Sequence, residues 1–174
     1  MVKERKVQLL KKLQETLKEW EIASVYRDAE GETLPTDILT CLFDEFGNDL
    51  GDVMGEFFFM PKMEGREEDA LYFNCVLTMT EDLMEPMLPN LYEAVSILNY
   101  YLETGAFAVN KAGEMLVYRN SLAVPLEMKD EDALELIAEN VAYSVNVSEQ
   151  FHDVLFRVCD GRMSMEEFRG LLPD

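Results

Sequence analysis

Glu149 and His152 stand three residues apart, the spacing that puts a carboxylate and an imidazole on one helical face in di-iron bundles. Such a site uses the pair twice with two further carboxylates, and His152 is the single histidine of the chain. As a general base it would need a substrate proton within hydrogen-bond reach, and no partner group stands at a recognisable spacing. A polar position on a helix face is therefore expected for it. Residues 160–168, Asp-Gly-Arg-Met-Ser-Met-Glu-Glu-Phe, have the outline of the second half of a calcium loop, with Gly161 at the sharp turn and Glu167 as the bidentate ligand. The first half is missing, because the first and third loop positions fall on Phe156 and Val158. The same residues suit a helix end, a turn and a Ser164–Glu167 capping box. Asp44, Glu45, Asp49 and Asp52 form the densest acidic turn and could gather a divalent ion, although charged turns ordinarily serve solubility.

Cys41, Cys75 and Cys159 lie far apart inside apolar runs, without a C-x-x-C pair, and read as small buried hydrophobes. P-loop, GxGxxG, GxSxG and H-E-x-x-H patterns are absent. No catalytic residue, metal ligand or cofactor is expected, and the rival account is a small enzyme or divalent-ion binder using an acidic cleft around residues 44–52.

The elements that would position any site follow from composition and periodicity. A chain of 174 residues suits one domain, 1–174, able to bury about 70% of its unfolded surface. Its net charge of -20 argues against nucleic acid and against anionic membranes as partners. Residues 1–20 carry six basic and three acidic side chains, so a cationic segment stands beside a strongly anionic body and should be held against it. No signal-peptide pattern and no apolar run near the ~18 residues of a membrane span is present, which sets the expected location as the cytoplasm.

The first segment reads as a helix with Val7, Leu10, Leu13, Leu17 and Trp20 on one face. Strands are expected in residues 22–35, in 37–46 and in 52–61, the last stopped by Pro61; a charged loop precedes the next. In 70–80, Leu71, Phe73, Cys75, Leu77 and Met79 alternate with Tyr72, Asn74, Val76 and Thr78. The first set should face helices; the second awaits the N-terminal helix, a partner or a second copy. A helix follows over 90–104, with Asn90 as N-cap, Glu93 closing the box, Gly105 beyond the end, and a stripe of Leu91, Ala94, Val95, Leu98, Tyr101 and Leu102. A hairpin over 106–124 turns at Asn110-Lys111-Ala112-Gly113. Asp130 is expected to cap a long helix striped by Leu134, Ile137, Ala138, Val141 and Val145, which bends or breaks at 145–148 before Phe151, Leu155 and Val158 resume the pattern.

Apolar residues stand on both faces of the third strand, Val53, Phe57 and Phe59 against Met54, Phe58 and Met60. Met79, Met84 and Met87 crowd the next junction, with Met63 upstream, and methionine suits core gaps or adaptable contacts alike. Met79, Met84, Met87, Phe58 and Met60 are therefore the candidate partner-binding residues. The expected partner is a protein, basic or amphipathic, together with a second copy in a homodimer; the competing account is a monomer whose helices cover the sheet.

The segments SILNYYLETGAFAVN, GEMLVYRNSLAV and FHDVLFRVCDGRMSMEEF resemble the helix-to-hairpin junction, second hairpin strand and closing helix of the YbjN family and, more distantly, the type III secretion chaperones. The resemblance spans most of the chain and rests on packing motifs. It implies an α+β fold, an antiparallel β-sheet flanked by an N-terminal helix, a central helix and a long C-terminal helix. For the secretion chaperones it further implies small acidic dimers that bind a partner chain without enzymatic activity. The strand read between residues 22 and 46 departs from the simplest chaperone pattern.

Overall fold

The structure, a computed structural model, describes residues 2–31, 34–48, 51–61, 69–80, 83–110 and 115–172. Helix α1 (Val2–Glu19) buries Leu9, Leu10, Leu13 and Leu17. Strands β1 (Ser24–Arg27), β2 (Ile38–Phe46), β3 (Gly51–Phe59) and β4 (Ala70–Thr80) follow as an antiparallel meander. A 3-10 turn (Glu85–Met87) leads into α2 (Leu88–Tyr101), then β5 (Ala106–Asn110), β6 (Met115–Pro125), the 30-residue α3 (Asp130–Cys159) and the short α4 (Met165–Gly170). The six strands form one antiparallel sheet in the order β1-β2-β3-β4-β6-β5. The expected α+β class is the class observed, and 106–110 pairs with 115–119 as the hairpin pattern predicts. The expected turn residues 111–113, together with Asp49 and Met63, lie outside the described residues.

All three long helices contact one another or the same side of the sheet, α1 and α2 each against α3, and α3 against β4 and β6. Alternation does the sorting: Leu71, Phe73, Cys75, Leu77 and Met79 of β4 are all buried on that side, as expected. The N-terminal helix joins them there and leaves the opposite face alone. Among the described residues no helix is long and apolar enough to cross a membrane.

Several helix boundaries differ from the sequence reading. Helix α2 begins two residues before Asn90, behind the 3-10 turn, with Met87 as N-cap and Pro89 in its first turn, so Asn90 caps nothing. Glu93 instead pairs with Arg169 of α4. The helix stops at Tyr101, leaving Tyr101 exposed and Leu102 extended. In α1, Leu9 takes a core position while Trp20 falls past the helix end and is exposed. Lys129 rather than Asp130 is the N-cap of α3, and α3 runs unbroken through 145–148. Its buried stripe passes through Ala133, Ile137, Val141, Ser144, Ser148, His152, Leu155 and Cys159, so small polar residues hold the middle of the core-facing side. The Ser164–Glu167 capping box is formed as expected.

Two polar attachments fix the helices to the sheet. The Arg5 guanidinium donates to Asp130 Oδ1 (2.8 Å), to the Leu126 carbonyl (2.7 Å) and to the Met128 carbonyl, holding the cationic α1 against the start of α3. Under α2, the Tyr118 hydroxyl donates to the Thr104 carbonyl (2.9 Å), Thr104 Oγ1 donates to Asn120 Oδ1 (3.0 Å), and the Asn120 amide donates to Ser144 Oγ (3.3 Å). Gly105 sits on Tyr118 at a φ of +72°, where a side chain would strain the backbone and strike the phenol ring.

Gly105→Ala is therefore expected to lower the unfolding free energy by about 2–4 kcal/mol, measured by urea denaturation, because left-handed strain and overpacking add. Burial pushes the thiols of Cys41, Cys75 and Cys159 up to about 12. At neutral pH all three are thus protonated as well as inaccessible, and a thiol reagent should label none in the native chain and three after denaturation.

Candidate functional site

The lone imidazole is structural in its surroundings. His152 is fully buried, stacked on Phe156 one turn further along α3 (ring centroids 4.3 Å) and edge-on to Phe46 (5.5 Å). The expected polar position on a helix face is thus corrected: the side chain points into the core. Its Nδ1 lies 3.2 Å from Asp153 Oδ1, and Nε2 has no hydrogen-bond partner among the described residues. The β2–β3 turn closes over it. Asp153 accepts from the Asn48 amide N–H (3.0 Å) and from its side chain, while Gly47, at a φ of +68°, lies so near His152 and Asp153 that a Cβ would collide with both. Glu149 is exposed while His152 is buried, so the Glu149–His152 spacing assembles no joint site.

The other chemical candidates disperse similarly. Glu167 Oε2 accepts from Ser164 N and Oγ, both at 2.8 Å, and these bonds hold its carboxyl below the usual range. Asp160 is taken by Arg162. Asp44, Glu45 and Asp52 are exposed around the β2–β3 turn, and among the described residues no three His, Cys, Asp or Glu side chains converge to hold a metal ion. Asp44, Glu45 and Glu149 do line a cavity of about 390 Å³ with Trp20 and Glu21.

The largest chemical feature is instead the sheet face away from the helices. Register brings Val25, Leu42, Met54, Phe58, Val76 and Val117 onto it, linked by Thr40 and Thr78 across neighbouring strands. Val25 and Leu42 are 61% and 56% exposed, and Met54 and Tyr72 are exposed too. No described element lies over these residues. At its centre Glu56 and Arg119 flank Val76, each directly opposite it on β3 and β6. Arg119 is anchored there by two bonds to Asn74 Oδ1 (3.2 and 2.8 Å), which also accepts from Ser121 Oγ.

The five residues expected to bind a partner do not form one patch. Phe58 lies half-buried on the open face and Met60 is exposed just beyond the end of β3. Met84 is exposed at the 3-10 turn and Met87 is half-buried against Gly161, at the entrance to α2. Met79 is only 2% exposed on the helix-facing side of β4 and belongs to the core, a correction to its expected role. Val25, Leu42, Val76 and Val117 were the residues missed. Each occupies an outward position in an alternating run, but only the strand register unites them.

A structural His152 predicts that His152→Ala lowers stability by about 2–4 kcal/mol in urea denaturation, the cost of emptying a packed ring site. Stability within about 0.5 kcal/mol of the native chain would contradict that role.

Compared with known proteins, the chain matches no family model and no curated sequence.

Proposed function

We propose that this chain is a non-enzymatic protein-interaction module, chaperone-like or regulatory, that self-associates through its open sheet face and binds a partner protein of basic or amphipathic character. The carrying observation is the apolar belt of Val25, Leu42, Met54, Phe58, Val76 and Val117 on a face that no described element covers. Scattered exposed hydrophobes are ordinary, but a contiguous belt over several strands marks a contact surface. Full burial of a large apolar side chain contributes about 1.5–3 kcal/mol relative to full exposure, and Val25 and Leu42, each more than half exposed, have the largest share of that still to gain. The acidic exterior keeps such a particle soluble and steers cationic chains toward it. The resemblance to the YbjN family and the secretion chaperones fits this reading, since the latter are acidic dimers without enzymatic activity. A reducing cytoplasm suits the three free buried thiols.

Light scattering at tens of micromolar is expected to return the mass of a dimer for the native chain and of a monomer for Leu42→Glu. The immobilised chain should retain a protein partner from host lysate at low salt and release it as salt rises. A native chain that stays monomeric and retains nothing above background at low or moderate salt overturns the proposal.

A further inference from the structure

We infer that the open face seats a second copy of this chain, related by a two-fold axis that runs along β4 above Val76, in the plane between two facing sheets. This geometry rests on the self-association proposed above and adds the axis and its contacts. Three rows cross the face. Thr40, Glu56, Val76, Arg119 and Ala106 stand directly opposite one another on successive strands from β2 to β5. Leu42, Met54, Thr78, Val117 and Ala108 form the row on one side, and Ile38, Phe58, Asn74 and Ser121 the row on the other.

Each row is asymmetric about β4. The β2 and β3 half carries Leu42, Met54, Phe58 and the acidic Glu56; the β6 and β5 half carries Val117, Ala108, Ser121 and the basic Arg119. A two-fold along β4 exchanges the halves. Glu56 of each copy then faces Arg119 of the other, Met54 meets Val117, Leu42 meets Ala108, and Phe58 meets Ser121. Large side chains fall on small ones and opposite charges meet twice. Facing sheets lie about 10 Å apart, a gap across which Glu56 of one copy approaches the Arg119 guanidinium that Asn74 holds on the face of the other. The aligned packing angle of about 30° leaves this register intact near the axis, where β3 and β6 are each one strand away. The alternative two-fold, across the strands through Val76, sets Glu56 on Glu56, Arg119 on Arg119 and Met54 on Phe58. Charge and size select the same axis.

The same features argue for a second copy over other occupants. A basic chain seeks acidic surface, whereas the rows of this face carry Arg27 and Arg119 beside Glu56. Strand addition is hindered at both edges. Asn99 of α2 occupies both main-chain groups of Phe107 on β5 (2.8 and 2.9 Å), and Gln14 of α1 donates to the Ser24 carbonyl on β1 (3.1 Å). The charge of -20 on each copy opposes association at long range, but screening beyond about 8 Å at physiological salt removes most of that term. The dimer should therefore persist or tighten as salt rises, where contact with a basic partner would weaken.

The test is a charge exchange read by analytical ultracentrifugation of the full chain. Glu56→Arg and Arg119→Glu should each weaken the homodimer by about ten- to a hundredfold, since each reverses both symmetric contacts. Mixed together, the two variants should form a heterodimer at native affinity. The introduced arginine of one chain then faces the introduced glutamate of the other, while the native Arg119 of the first faces the native Glu56 of the second. That recovery also shows that both chains are folded. A native homodimer that neither substitution weakens, or variants that fail to recover on mixing, overturns the axis while the interaction module still stands on Leu42→Glu. A native chain that is monomeric at both salt extremes overturns the second copy altogether, and partner retention then decides the wider reading by itself.

Discussion

Asn120 and Ser144 meet in the middle of the seam between α3 and the sheet, and the arrangement of helices on the sheet depends on that contact. A helix lying on a smooth hydrophobic surface has many nearly equivalent positions along its axis. Burying an amide without a partner costs about 1–3 kcal/mol, so sliding α3 by one turn is penalised by the loss of this single bond. Ser144 also returns a bond to the Asn140 carbonyl (2.7 Å), which keeps its hydroxyl satisfied within the helix. From Asn120 the polar chain continues through Thr104 to Tyr118, tying the α2–β5 turn to the same point. One line of side chains thus sets the positions of α2, α3 and the hairpin relative to each other. Arg5 then brings α1 to the start of α3.

Gathering every long helix onto one side has a consequence for the other. A sheet of six strands presents two faces, and the apolar residues that alternate outward on β2, β3, β4 and β6 receive no helix among the described residues. The edges, by contrast, are closed with care. Asn99 imitates a neighbouring strand to Phe107, and β1 and β5 are four and five residues long. Short, capped edges suppress unlimited strand addition while leaving a finite flat face for a closed contact. Open face and shut edges together are the features on which the proposed defined association, rather than polymerisation, rests.

Much of this was legible in the residues. The β4 alternation, the 106–124 hairpin, the Ser164–Glu167 box and the long helix are local patterns, and local patterns are what a sequence displays directly. What stayed hidden was tertiary. Asn90 is a good capping residue that loses to a 3-10 turn imposed by Pro86 and Pro89 upstream. Of the expected α3 stripe Ile137 and Val141 are buried, but it continues through Ser144, Ser148 and His152 rather than Val145, because close seating on β4 and β6 favours small side chains and an aromatic plug at the turn. The open face was half visible as apolar residues on both sides of β3. Its extent depended on pairings that no single strand reveals, whereas the alternation of β4 already set Met79 among the helix-facing residues, against its second reading as a partner contact.

The acidic charge finds its place within this arrangement. Three cations of α1 make intramolecular contacts, Arg5 at Asp130, Lys6 at the Met60 carbonyl and Lys11 over the Tyr26 ring (5.3 Å). The body that remains is strongly anionic, yet the three rows of the open face hold Arg119 against Glu56, with Arg27 beside them on β1. Negative charge therefore lies around the belt rather than across it. In the proposed dimer such a layout would keep misaligned copies apart, because an off-centre approach would set acidic surface on acidic surface, while the centred approach would set apolar rows and alternating charges in register. In the proposed dimer, the repulsion that would oppose association of uniformly charged particles would thus become, through this placement, a source of specificity for one orientation.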